Sequence, residues 1–154
     1  MLEDRNNRVR WVYTSGGDPD ELARRYDQWA SSYDEDIEQY FGYPTPARIG
    51  ELIVKYCPDR DAWLLDAGAG TGLVGRQLAT LGFHNLVAID LSEGMLAEAE
   101  KKNAYRELLQ KVLGEPLGFE TDSFDGVVSV GTLTLGHAPP SSLDELVRVT
   151  KPGG

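Results

Sequence analysis

One stretch, Trp63-Leu64-Leu65-Asp66-Ala67-Gly68-Ala69-Gly70-Thr71-Gly72, limits what this chain can fold into more than any other. Apolar residues run into an acid, glycines then fall at every second position, and Val74, Leu78 and Leu81 follow at helical spacing. The pattern is strand, tight loop, helix. Glycine lacks the Cβ that would hold a ligand away, so such a turn brings backbone N–H groups and a helix start close to it. A nucleotide-like cofactor is the first expectation.

A second unit repeats the form. Leu86-Val87-Ala88-Ile89-Asp90 is nearly all apolar, as a parallel strand covered on both faces should be, and it also ends in an acid. Ser92 can cap a following helix that turns Met95, Leu96 and Ala99 inward. Leu108 to Leu113 reads as a third strand by the β-α rhythm, and Ser123 to Gly131 as a fourth buried one. Ser142-Leu143-Asp144-Glu145 is a capping box that opens a last helix. Ahead of the first strand, Asp18-Pro19-Asp20-Glu21 starts a helix with Leu22, Tyr26, Trp29, Ala30 and Tyr33 on one aromatic face, and Thr45-Pro46 starts another. Residues 1–17 read as an irregular leader. The expected fold is α/β: a Rossmann-like, doubly wound, mostly parallel sheet in a single domain over 18–154, with lid helices in 18–57 and a core in 61–154.

Composition narrows the partners. A net charge of −10 over 154 residues opposes binding to a phosphate backbone, which basic clusters usually supply, so nucleic acid is not expected. The single cysteine, Cys57, leaves no intrachain disulfide and no cysteine-based metal cluster, and no metal site is expected. No apolar run approaches the roughly 20 residues that span a bilayer, nor does the start read as a signal peptide. A cytoplasmic protein with no membrane partner is expected.

Two cofactors compete for the glycine loop. Gly70-Thr71-Gly72-Leu73-Val74-Gly75 is formally a dinucleotide fingerprint, with Asp90 where a ribose-binding acid should fall. Against it, the loop holds no basic residue, Asp66 would oppose a pyrophosphate, and no second set of strands exists for the nicotinamide half. Acids at the tips of two adjacent parallel strands suit a ligand with a cationic end, a ribose and no phosphate. S-adenosylmethionine fits that description, with S-adenosylhomocysteine as the product.

The same residues carry a family resemblance. Leu64 to Gly72 and Val87 to Leu96 resemble the first two signatures of the class I S-adenosylmethionine-dependent methyltransferases. Asp122 to Val128 is similar to their approach to the fourth strand, and Val149-Thr150-Lys151-Pro152-Gly153-Gly154 to their turn before the fifth. Tyr26 to Asp34, Gly42 to Pro46, Leu113 to Leu117, Val130 to Leu133 and Gly136-His137 resemble, more closely, the Williams-Beuren syndrome region methyltransferase-like proteins. The resemblance implies that Asp66, Gly68, Ala69 and Gly70 surround the methionine part of the cofactor and that Asp90 holds the ribose hydroxyls. It also implies that Leu91, Met95, Leu113 and Gly114 flank adenine, that Val130 borders the site, and that Tyr26 and Tyr33 fold over it. The acid that many members carry after the third strand is absent, with Glu115 the nearest.

The family fold continues through a fifth strand, a helix and a hairpin, so the resemblance implies a chain truncated after the fourth strand and its helix. An apolar edge at Phe124 to Val130 would then invite self-association. Methyl transfer needs alignment more than covalent help, and His137 is the one candidate general base, against a loop-packing role. The expected activity is methyl transfer to a small-molecule or protein acceptor. A non-catalytic cofactor-binding module and a nicotinamide-dependent oxidoreductase are the alternatives.

Overall fold

The computed structural model describes residues 2–154. Three helices come first: α1 (Leu2–Tyr13), α2 (Pro19–Phe41) and α3 (Thr45–Tyr56). Then β1 (Trp63–Ala67), α4 (Leu73–Thr80), β2 (Asn85–Asp90), α5 (Glu93–Glu100), β3 (Glu107–Gln110), β4 (Gly126–Val128) and α6 (Ser142–Val149) alternate. The four strands form one parallel sheet in the order β3-β2-β1-β4, with Leu65 opposite Val87 on one side and Val127 on the other.

Alternation along the buried strands sends side chains to two separate cores. Leu64, Leu86 and Val128 face α3 and α4, meeting Ile53, Val74 and Leu78. Leu65, Ala67, Val87 and Ile89 face α6, meeting Leu146 and Val149. Helices on both faces of a parallel sheet make the doubly wound α/β fold expected from the sequence. Asp125 acts as a fold residue, accepting from the Trp63 amide at 2.8 Å and the Lys151 ammonium at 2.6 Å.

Three boundaries differ from expectation. Residues 2–13 are a helix, not an irregular leader; Met1 lies outside the described residues. The helix is held by tertiary packing, with Val12 buried against Leu22, Trp29 and Ile37, a contact stripe too sparse to show helical periodicity. The third strand covers Glu107–Gln110 and not Leu108 to Leu113; its last rung is the Lys111 amide donating to the Asp90 carbonyl. The fourth is three residues long, shorter than the expected Ser123 to Gly131, and stands at the edge of the sheet; just before it Phe124 is buried, its amide donating to the Val149 carbonyl and its carbonyl accepting from the Lys151 amide.

α2 begins as its sequence dictates. Asp18 accepts from the Asp20 amide at 3.0 Å, Pro19 takes the first turn, and Gly42 ends the helix in a left-handed conformation. This long helix crosses the carboxyl ends of the strands and packs on α5.

Candidate active site

The glycine loop is fastened to the neighbouring strand. Gly68 and Ala69 both donate their amides to the Ile89 carbonyl, at 2.8 and 3.0 Å. Gly70 donates to Asp90 Oδ2 at 2.8 Å, and Ser92 donates to Asp90 Oδ1 at 3.0 Å. The Asp90 carboxylate therefore ties the first loop to the second. Burial pushes its pKa up, while these backbone donors hold it down. An ionised carboxylate offers about four lone-pair positions, so the backbone donors of Gly70, Leu91 and Ser92 leave room for a ligand hydroxyl.

Above the loops lies a cavity of about 940 Å³. That is near the upper end for pockets that hold one ligand, and leaves room for a cofactor and an acceptor. Of the expected site residues, Tyr26, Tyr33, Gly68, Gly70, Asp90, Leu91, Met95, Leu113, Gly114, Val130 and His137 all line it. Asp66 and Ala69 do not; Ala69 sits between two glycines that do. Gly68 carries a φ of +81°, and a Cβ there would stand 2.0 Å from the Thr132 methyl, so only glycine lets the loop after β4 close on the loop after β1.

Asp66 turns away from the cavity. It is buried and accepts from the Tyr105 hydroxyl at 2.6 Å, and burial lifts its pKa to about 7 against the opposing effect of that bond. Tyr105 also accepts from the Gly75 amide at 3.1 Å. A Cβ on Gly75 would lie 2.1 Å from the Tyr105 ring, and one on Gly72 would lie 2.9 Å from it. The last two glycines of the apparent dinucleotide fingerprint therefore make room for a tyrosine and leave none for a phosphate. Tyr105 escaped the sequence reading; the one signal was Gly75, a glycine inside a helix that otherwise gains nothing from it.

The aromatic face of α2 closes the site. Trp29 is buried and donates to Asp36 at 2.8 Å, while Tyr26 and Tyr33 flank it, with ring centroids 6.2 and 4.8 Å away. Polar latches hold α2 in place. Asp27 accepts from the Ser92 hydroxyl at 2.6 Å and the Gly94 amide at 2.8 Å, and Ser92 Oγ itself caps the Met95 amide at 3.0 Å. Asp34 accepts from the Thr71 hydroxyl and pairs with Lys102 at 2.7 Å. On the opposite wall His137 Nε2 meets the Tyr26 hydroxyl at 2.8 Å. His84, by contrast, lies exposed beside Asp61 at 3.1 Å, away from the cavity.

A family of methyltransferase domains matches residues 65–154, which include both loops and both acids. The chain belongs to this methyltransferase domain family. It is 38% identical to the human Methyltransferase-like protein 27 over 149 residues, which cover 93% of this chain and 60% of that protein. The chain thus spans about three fifths of the length of this relative. Among solved structures, the methyltransferase bound to the Haloferax volcanii Trm112 activator superposes with a TM-score of 0.69 at 25% identity, over 84% of this chain and 57% of that one. The DhpI complex with SAH superposes with a TM-score of 0.62 at 26% identity, over 92% and 68%. The fold and family are those of the S-adenosylmethionine-dependent methyltransferases. No helix among the described residues of the methyltransferase domain is long and apolar enough to cross a membrane.

Proposed function

We propose that this domain binds S-adenosylmethionine in the cavity over Gly68, Gly70 and Asp90 and transfers its methyl group to an acceptor held beside His137. The observation that carries the reading is Asp90: a buried carboxylate on the cavity wall, pinned by loop amides at 2.8 and 3.0 Å, with acceptor capacity left toward the cavity for a ribose hydroxyl. The donor set favours a phosphate-free ligand, since Lys111 is the one lysine or arginine among the lining residues. Space for an adenine ring lies between Leu91, Met95, Leu113 and Gly114, and the open side of Gly70 admits the methionine portion.

When bound, the cofactor supplies a methyl group activated on a sulfonium. The chain then has to hold the acceptor in line and keep water out, contributions on the order of 7 to 11 kcal/mol in well-oriented systems. Tyr26 and Tyr33 cover the cavity and Asp90 orients the ribose. Asp66 acts indirectly, by anchoring the loop through Tyr105.

Calorimetric titration with S-adenosylhomocysteine and, separately, with NADH tests the reading. Binding of S-adenosylhomocysteine alone is the expected result; binding of NADH alone would refute it.

A further inference from the structure

Resting on this methyl-transfer reading, we propose that Tyr26 and His137 form a proton relay whose acceptor is an uncharged, mainly apolar molecule that presents a hydroxyl to Tyr26.

The relay takes its direction from the imidazole tautomer. His137 Nδ1 lies 3.3 Å from the Leu135 carbonyl and 3.2 Å from Thr134 Oγ1, both of which can accept, and the relay places the ring proton on Nδ1 between them. Nε2 is then an acceptor, and the Tyr26 hydroxyl donates to it at 2.8 Å. In this arrangement His137 takes the acceptor's proton through Tyr26, where the sequence alone offered it as a direct general base. The Tyr26 oxygen keeps its lone pairs, and Tyr26 lines the cavity. A hydroxyl that donates to Tyr26 completes a chain of three.

Burial supports this order. It raises the Tyr26 pKa well above that of a free phenol, with Tyr33, Tyr13 and Asp90 adding to the effect, so Tyr26 passes a proton on and does not rest as a phenolate. It lowers the His137 pKa, so the imidazole is neutral and receptive at pH 7. The groups that face His137 are the Tyr13 ring at 4.8 Å from α1, Tyr26 from α2, and Thr134 Oγ1 at 3.2 Å from its own loop. None carries a charge.

The outer wall defines the acceptor. Leu22, Leu133, Leu135, Pro140 and Leu143 line the cavity together with His137, and the one lysine or arginine of the lining, Lys111, belongs to the segment after β3 that carries Leu113 and Gly114, the residues assigned to adenine. A carboxylate acceptor would not need a base. A hydroxyl needs one, because its proton must leave as the new bond forms.

In the transfer the acceptor's O–H bond breaks as its O–CH3 bond forms. The S–CH3 bond breaks with both electrons going to sulfur, which leaves a neutral thioether. The acceptor's proton goes to the Tyr26 oxygen while Tyr26's own proton goes to His137 Nε2. The positive charge ends on the imidazolium and is released to water with the product. Tyr26 is catalytic by contact, and His137 acts through it.

The test uses methyl-labelled S-adenosylmethionine with three probes of one shape: 2-naphthol, 2-naphthoate and 2-naphthylmethylamine. Transfer to 2-naphthol in preference to the other two is expected. Tyr26→Phe and His137→Gln should each lower kcat by about 100-fold, the scale of positioned acid-base catalysis. His137→Gln should leave KM for 2-naphthol nearly unchanged and remove the acid limb of the pH profile. Independently of turnover, the 15N resonance of His137 Nε2 in the S-adenosylhomocysteine complex should shift on addition of 2-naphthol, and should not in Tyr26→Phe. Transfer to the carboxylate or amine in preference to the naphthol, transfer to none of the three, or wild-type kcat in Tyr26→Phe overturns the relay. These outcomes are read in protein shown by calorimetry to bind S-adenosylhomocysteine; failure of that binding overturns the proposed function first, and the relay with it.

Discussion

The Asp66→Asn variant probes the strut beneath the glycine loop, and its expected effect follows from one carboxyl group. In the unfolded chain Asp66 titrates at about 3.8; in the fold, burial carries it to about 7. A carboxyl whose folded pKa is raised contributes stability below its unfolded pKa and loses it progressively as pH rises through the folded value. Between pH 5 and pH 8 that loss integrates to about 2.5 kcal/mol, at about 1.4 kcal/mol per pKa unit. Asparagine does not titrate, and its Oδ1 can still accept from the Tyr105 hydroxyl that stands 2.6 Å from Asp66. Its amide N–H groups are buried without a ready partner, a cost of about 1 to 3 kcal/mol that is independent of pH. The variant should therefore be the less stable protein at pH 5 and should gain about 2.5 kcal/mol on the wild type by pH 8. Urea denaturation followed by tryptophan fluorescence at the two pH values measures this difference, and comparison of the pair cancels every other titrating group. A stability difference that is the same at pH 5 and pH 8 would refute the buried, raised carboxyl.

Three further predictions concern the same loops. Asp90→Ala should weaken S-adenosylhomocysteine binding by at least about 1.5 kcal/mol, the scale of a hydrogen bond to a charged group, and calorimetry with unchanged affinity would remove Asp90 from the site. Gly75→Ala drives a methyl into the Tyr105 ring, which a Cβ would approach to 2.1 Å; a loss of about 1 to 3 kcal/mol in urea denaturation is expected, and a neutral result would mean that Tyr105 does not occupy this position. Ser92→Ala removes the cap that accepts from Met95 at 3.0 Å and the donor to Asp27 at 2.6 Å, for about 1 kcal/mol, and hydrogen exchange in α2 should quicken as the latch is lost.

How much of this could be read from the sequence depends on how far apart the partners lie. β1, β2 and the glycine loop are written in contiguous residues, and the expected strand ends, acids and Ser92 cap stand where local pattern put them. β3 ends before the expected Leu113, and the residues beyond it, Lys111 to Glu115, line the cavity. α1 was missed since Val12 alone of its described side chains is buried. Tyr105 and Asp66 are 39 residues apart, and Tyr26 and His137 are 111 apart. No periodicity encodes such pairs; only the sheet order, which places β1 between β2 and β4, brings them together.

That geometry also explains why the glycine loop does not have one purpose. Its cavity side, at Gly68 and Gly70, is shaped for approach: Gly68 lets Thr132 close in, and Gly70 is open. Its inner side, at Gly72 and Gly75, is shaped for packing, with Tyr105 wedged against both and bonded to Asp66. Asp66 lies on the strand that feeds the loop and is bonded to Tyr105, so a change in its charge reaches the loop along the backbone and through Tyr105. The two acids at the strand tips, which look equivalent in sequence, therefore divide the work. Asp90 lines the cavity, where the proposed function has it meet the ligand, and Asp66 lies beneath the loop, bonded to Tyr105. Substitution at Asp90 should act on binding and also cost stability, because it leaves the Gly70 and Ser92 amides without their acceptor, whereas substitution at Asp66 should act mainly on stability.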